Sequence, residues 1–179
     1  MLVAGTGDAD PVTAIAAVRA LGAQGGAQAA RHLVALLDDD RAYVAEHAVE
    51  ALGGVAPHVP GLSPLVRYVA DGGFTGMLAQ RTLEAWAVAL PDAVHDALAA
   101  ALTSQGDSGA RARLVETVGL VPGPAATRLL LRVRGDDTEA AEVRAAAQAA
   151  LDDEPATEPA PRGHQGLTVV QLFLHGDLD

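Results

Sequence analysis

Val44-Ala-Glu-His-Ala-Val-Glu-Ala-Leu-Gly53 decides the fold, because four other stretches of the chain can be laid over it column by column. The five aligned stretches start at residues 13, 44, 78, 110 and 143, so successive units lie 31, 34, 32 and 33 residues apart. A fixed period between about 20 and 50 residues marks stacked supersecondary units. One column holds Ala17, Ala48, Thr82, Leu114 and Ala147, and the column four residues later holds Leu21, Leu52, Trp86, Val118 and Leu151. Positions four apart share a helix face. The aligned stretches therefore read as the first helices of about five helix pairs, and the fold class as an all-α solenoid.

Punctuation along the chain supports this reading. Asp10 before Pro11, Asp40 before Arg41, Asp107-Ser108 and Asp137-Thr138 are candidate N-caps. Gly22, Gly53 and Gly119 end three of the five units, where a left-handed backbone would close the helix. Second helices are expected near 27–38, 61–71, 91–103 and 124–134, introduced by glycine- or proline-containing turns such as Pro91 and Pro122-Gly-Pro124. Each helix pair has two apolar faces, so neighbouring pairs must cover one another, and alanine between the large residues lets axes approach.

Composition agrees. Half of the 179 residues are apolar but only 3% are aromatic, which suits close-packed helices better than a sheet core. The chain has no cysteine, which excludes disulfides, thiolate metal sites and cysteine nucleophiles and fits a reducing cytoplasm. No apolar run reaches the ~20 residues of a bilayer span, so no membrane partner is expected. A formal charge of −11 argues against nucleic acid as a partner, since phosphate binding needs clustered cations.

The Val-x-x-x-Ala-x-x-Ala-Leu-Gly pattern of Val44 to Gly53 resembles the HEAT family, in particular its short-repeat, phycobilin-lyase-type branch. The units are shorter than the ~40–47 residues usual for HEAT and armadillo repeats. The resemblance implies a right-handed α-α superhelix over residues 1–152, used by relatives as adaptors, DNA-alkyl glycosylases, pigment lyases and a metal-dependent hydroxylase. Fold alone does not choose among these. The hydroxylase relatives hold iron through repeated His-Glu dipeptides, whereas this chain has only the reversed Glu46-His47. The glycosylase relatives use a basic, aromatic groove, whereas this chain is acidic and has one tryptophan, Trp86, in a core column.

Candidate site residues are few. The histidines at 32, 47, 58, 95, 164 and 175 lack metal-ligand spacing, and no cofactor or catalytic residue is expected. Glu50, Glu84 and Glu116 share one first-helix column and read as a solvated face. Arg31 aligns with Arg128 and Arg67 with Arg132 on the second helices, giving an arginine row suited to an acidic peptide or another domain. Its bland counterpart is pairing with Asp38, Asp39, Asp71 or Asp136.

After Leu151 the pattern stops. Residues 153–166 form a Pro-rich acidic linker, and 167–179 form a strand-like tail around Leu-Thr-Val-Val-Gln-Leu-Phe-Leu. An isolated strand must pair with another molecule, stay disordered or open a further domain; the last reading is favoured, with weak resemblance to the first strand of a nucleotide-sugar glycosyltransferase. The functional expectation is a non-catalytic protein-interaction or scaffold module, whose partner is a protein, a peptide or a C-terminal domain of the same polypeptide. The alternative is the accessory N-terminal module of a larger enzyme, a glycosyltransferase.

Overall fold

The structure, a computed structural model, describes residues 2–153, with Leu2 described in its backbone only. The linker from 154 and the strand-like tail lie outside the described residues. Ten α-helices and no strand occur among the described residues. They are α1 (Leu2–Gly5), α2 (Pro11–Gln24), α3 (Gly26–Ala35), α4 (Ala42–Leu52), α5 (Leu62–Asp71), α6 (Gly73–Ala87), α7 (Pro91–Ser104), α8 (Ser108–Gly119), α9 (Pro124–Gly135) and α10 (Ala141–Asp152). Short 3-10 turns at Leu36–Asp38 and Val59–Gly61 extend α3 and precede α5. The four expected second helices are therefore α3, α5, α7 and α9, displaced by at most a few residues. The last first helix, α10, is the end of the described chain.

The aligned columns are the core. Ala48, Leu114 and Ala147 are fully buried, as are Leu52 and Val118, and Trp86 retains 2% exposure. Leu151, in the same column but in the last unit, is only half-buried, as a helix at the end of a row should be.

Two of the expected caps hold. Asp10 accepts from the Thr13 amide at 2.9 Å and Asp107 from the Ala110 amide at 2.7 Å. Asp40 does not cap α4: Arg41 occupies the N-cap position without a side-chain bond, and Asp39 instead accepts from the Arg41 amide and guanidinium. The same guanidinium donates to the carbonyls of Asp8 and Thr6, tying the N-terminal loop down. Nor does Asp137-Thr138 open α10, which starts at Ala141. Asp136 accepts from the amide and hydroxyl of Thr138, closing a turn one step earlier.

Of the unit-ending glycines, Gly53 ends α4 as its C-cap but without a left-handed backbone, whereas Gly22 and Gly119 do a different job from the one their position suggests. Among the described residues only Gly25, Gly26, Gly72, Gly73 and Gly123 have positive φ. Gly22 and Gly119 sit inside or at the end of their helices, where a Cβ would come to 2.9 Å of Ala51 Cβ and 2.7 Å of Ala150 Cβ, respectively. They are places where consecutive first helices touch, and only hydrogen fits.

The helices form two rows. In the first, α2 packs on α4 and α4 on α6; in the second, α8 packs on α10. Between them α8 lies against α5 and α7. The cause is local. α5 and α6 are joined by Gly72 alone, Gly72 and Gly73 both adopt positive φ (77° and 69°), and a Cβ on Gly76 would meet the Tyr68 carbonyl oxygen at 2.7 Å. Glycines thus let α6 fold straight back onto α5. The carbonyl of Ala70, at the α5 C-terminus where helical partners run out, accepts from Arg113 of α8, at 3.1 Å for Nε and also from Nη2. That bond fixes α8 beside α5.

Candidate functional site

The structure assembles the arginine row only in part. Arg31, Arg67, Arg128 and Arg132 are all exposed, on α3, α5 and α9. Arg67 donates to Asp38 at 2.6 Å, so here the intramolecular pairing is realised. With both side chains more than half exposed (55% and 65%), that pair is worth at most about 1 kcal/mol. Arg31, Arg128 and Arg132 make no ion pair among the described residues. The row is interrupted: α5 and α9 each pack on α7, which carries no arginine. Arg67 stands instead at a groove of about 390 Å³ between α5 and α7, with Asp71, Ala97 and Ala101. What remains contiguous is Arg128 and Arg132, four residues apart on one face of α9.

Other arginines serve the fold. Arg111 donates Nε to Glu139 at 3.0 Å and Nη2 to the same carboxylate, and Nη1 to the carbonyls of Leu102 and Gln105 at the end of α7. It clamps α7, α8 and the turn before α10 together.

The opposite face, made by the first helices, carries a feature that the sequence did not reveal. The ladder residues Glu50, Glu84 and Glu116 are exposed, as expected. They do not share one environment. Between α2 and α4, Glu50 faces Arg19 at 3.9 Å across a shallow cleft floored by Gly22 and Ala51. Between α4 and α6, Glu50 and Arg81 line the next cleft with Leu78 and Thr82. In both, the carboxylate shares its cleft with an arginine.

Where the row opens between α6 and α8, the cleft is larger, about 660 Å³. Gln80 stands on one side, Glu116 and Gly119 on the other, the loop from Leu120 to Gly123 at one end, and Ala146, Ala149, Ala150 and Asp153 of α10 and its end along the floor. Its lining contains two carboxylates and no cation. Leu120 remains 42% exposed at its lip. Phe74 and Met77, on α6 before Gln80, are 61% and 47% exposed. No group of three or more His, Cys, Asp or Glu able to hold a metal occurs among the described residues, and no helix there is long and apolar enough to cross a membrane.

The signal for this cleft was partly present in the sequence, in the carboxylate column and the apolar Leu120-Val121-Pro122 loop. Its position depends on α8 packing on α5, a contact between residues more than 40 apart, which no local pattern announces.

Comparisons with known proteins bear on the first part of the chain. A family model described as HEAT repeats matches residues 1–71. No curated protein matches the chain. Among solved structures, a designed armadillo repeat protein is 18% identical, over 84% of this chain and 97% of its own, with a TM-score of 0.38. The HEAT match ends at Asp71, the last residue of α5. Residues 1–71 are thus similar to HEAT repeats, and the helices that follow continue in antiparallel pairs with altered stacking.

Proposed function

We propose that this chain is a non-catalytic protein-interaction or scaffold module of the short-repeat HEAT type, following a right-handed superhelical path, with a protein or peptide partner rather than nucleic acid. The observation that carries this reading is the pair Arg128 and Arg132 on α9, exposed, one helical turn apart, and outside any ion pair among the described residues. Two guanidinium forks at this spacing suit carboxylates of an acidic peptide or of another domain. The test begins with a partner identified by capture on the full chain. Arg128→Ala with Arg132→Ala should weaken its binding about tenfold, one good charge-assisted contact, while Arg67→Ala, already engaged by Asp38, should matter less. Unchanged affinity in the double variant would discard this surface.

A second reading rests on the sequence of 167–174 followed by His-Gly-Asp: an accessory N-terminal module of a larger enzyme, a nucleotide-sugar glycosyltransferase, working in a reducing compartment. Reading the gene beyond Asp179 tests it. Continuation into alternating strands and helices with a glycine-rich turn supports it, and a stop codon there removes it.

A further inference from the structure

We infer that the cleft between α6, α8 and α10 is the docking site for an amphipathic segment of a partner protein, apolar on one side and flanked by arginine or lysine. This rests on the reading of the chain as an interaction module, and it assigns a second surface, on the face opposite the arginines.

The cleft has the volume of a binding site, about 660 Å³ within the usual range of about 300–1,000 Å³. Its floor is alanine and its end wall is Leu120, Val121 and Pro122, so it takes apolar side chains. Leu120, 42% exposed, adds apolar surface at its lip, as a helix laid into a groove requires.

Charge names the flanks of the occupant. Each narrower cleft on the same face contains an arginine beside its glutamate, Arg19 or Arg81 beside Glu50. Here Glu116 and Asp153 border the apolar floor with no cation in the lining. Two carboxylates beside a surface to be desolvated favour a partner that brings its own positive charge and reject one that brings carboxylates. The net charge of −11 adds long-range steering of the same sign.

The test uses the full 179-residue chain and a fluorescein-labelled 14-residue helical peptide with leucines at i, i+3, i+4 and i+7 and arginines on both flanks. Its counterpart has glutamate for every arginine. Anisotropy at low salt should give saturable binding of the arginine peptide and at least tenfold weaker binding of the glutamate peptide. Glu116→Gln with Asp153→Asn should weaken the arginine peptide about tenfold. Ala149→Trp, at an exposed position on the cleft floor, should weaken it as strongly, with the helical circular dichroism unchanged. Arg128→Ala with Arg132→Ala should leave it unchanged, which separates this surface from the one proposed above. Absence of saturable binding, equal affinity for the two peptides, or indifference to Ala149→Trp would overturn the inference. So would two other occupants. If Val169→Asp with Phe173→Asp strengthens peptide binding more than tenfold, the chain's own C-terminal segment is the resident ligand. If the chain dimerises at micromolar concentration and Ala149→Trp abolishes the dimer, a second copy is.

Discussion

Residues 2–71 and 73–153 bury the same columns of the repeat but close the space between their first helices differently. In the N-terminal part, α2 meets α4 at Gly22 and Ala51, and the outer faces carry arginine beside glutamate. In the C-terminal part, α8 meets α10 in the same way at Gly119 and Ala150, yet α8 turns to α5 and leaves a cleft facing α6. One repeat pattern therefore yields both a closed row and an open one. The Arg113 bond to Ala70 ties α8 to α5 in the open one, whereas the Gly72–Gly73 turn has a counterpart within the closed row at Gly25–Gly26.

Perturbations can break or sharpen this comparison. The largest effect is expected from matched core deletions, Leu52→Ala in the N-terminal part and Leu114→Ala in the C-terminal part, both fully buried. Each should cost about 2–5 kcal/mol in urea unfolding. A single shifted transition in both variants means that the two rows unfold as one unit; two transitions, each moved by only one variant, would mean that the turn separates them. Next comes Glu139→Ala, which strands the Arg111 guanidinium, only 20% exposed, between α7 and α10. About 3 kcal/mol should be lost, in the C-terminal part only.

Smaller effects probe the helix contacts and caps. Gly22→Val and Gly119→Val force a side chain against Ala51 and Ala150 and should each cost about 1–3 kcal/mol by overpacking. Equal losses at the two sites would establish that the two rows share one helix-to-helix contact. Asp10→Ala and Asp107→Ala should each cost about 1 kcal/mol through loss of the N-cap.

The smallest effect is in acid. Hydrogen bonds from Thr13, Arg41 and Thr138 hold the carboxyls of Asp10, Asp39 and Asp136, respectively, below the ordinary value of 3.8. Groups depressed in the folded state contribute stability above the unfolded value and lose it as pH falls through the folded one. Thermal stability should thus be flat from neutral pH to about 5 and decline below about 4. Asp39→Asn should flatten part of that decline through the N-terminal part alone.

Much of the fold was legible because it repeats. Leu21, Leu52, Trp86 and Val118 recur at one helical position, and Pro91 and Pro124 mark the starts of α7 and α9, so the helices and their buried faces follow from local spacing. The glycines misled because Gly22 and Gly119 stand where a helix could end, whereas their role is set by an alanine about 30 residues later. The arginines were read as one row. Arg67 is engaged by Asp38, and α7 separates α5 from α9, so only Arg128 and Arg132 remain side by side. Parts of the cleft's lining, Glu116 and the Leu120-Val121-Pro122 loop, were visible in the sequence, but its position was not, since it arises from the pairing of α8 with α5.

The shape of the C-terminal row is tested most directly by thiol modification of two single-cysteine variants, since the chain contains no other cysteine. Ala147 is fully buried between α10 and α8, and Ala149, two residues on, lies exposed on the cleft floor. Ala149→Cys should react at the rate of a free thiol and Ala147→Cys at least about a thousandfold more slowly, limited by opening of the fold. Equal rates, or protection at 149 with reactivity at 147, would contradict the packing of α10 on α8 and the cleft it leaves open.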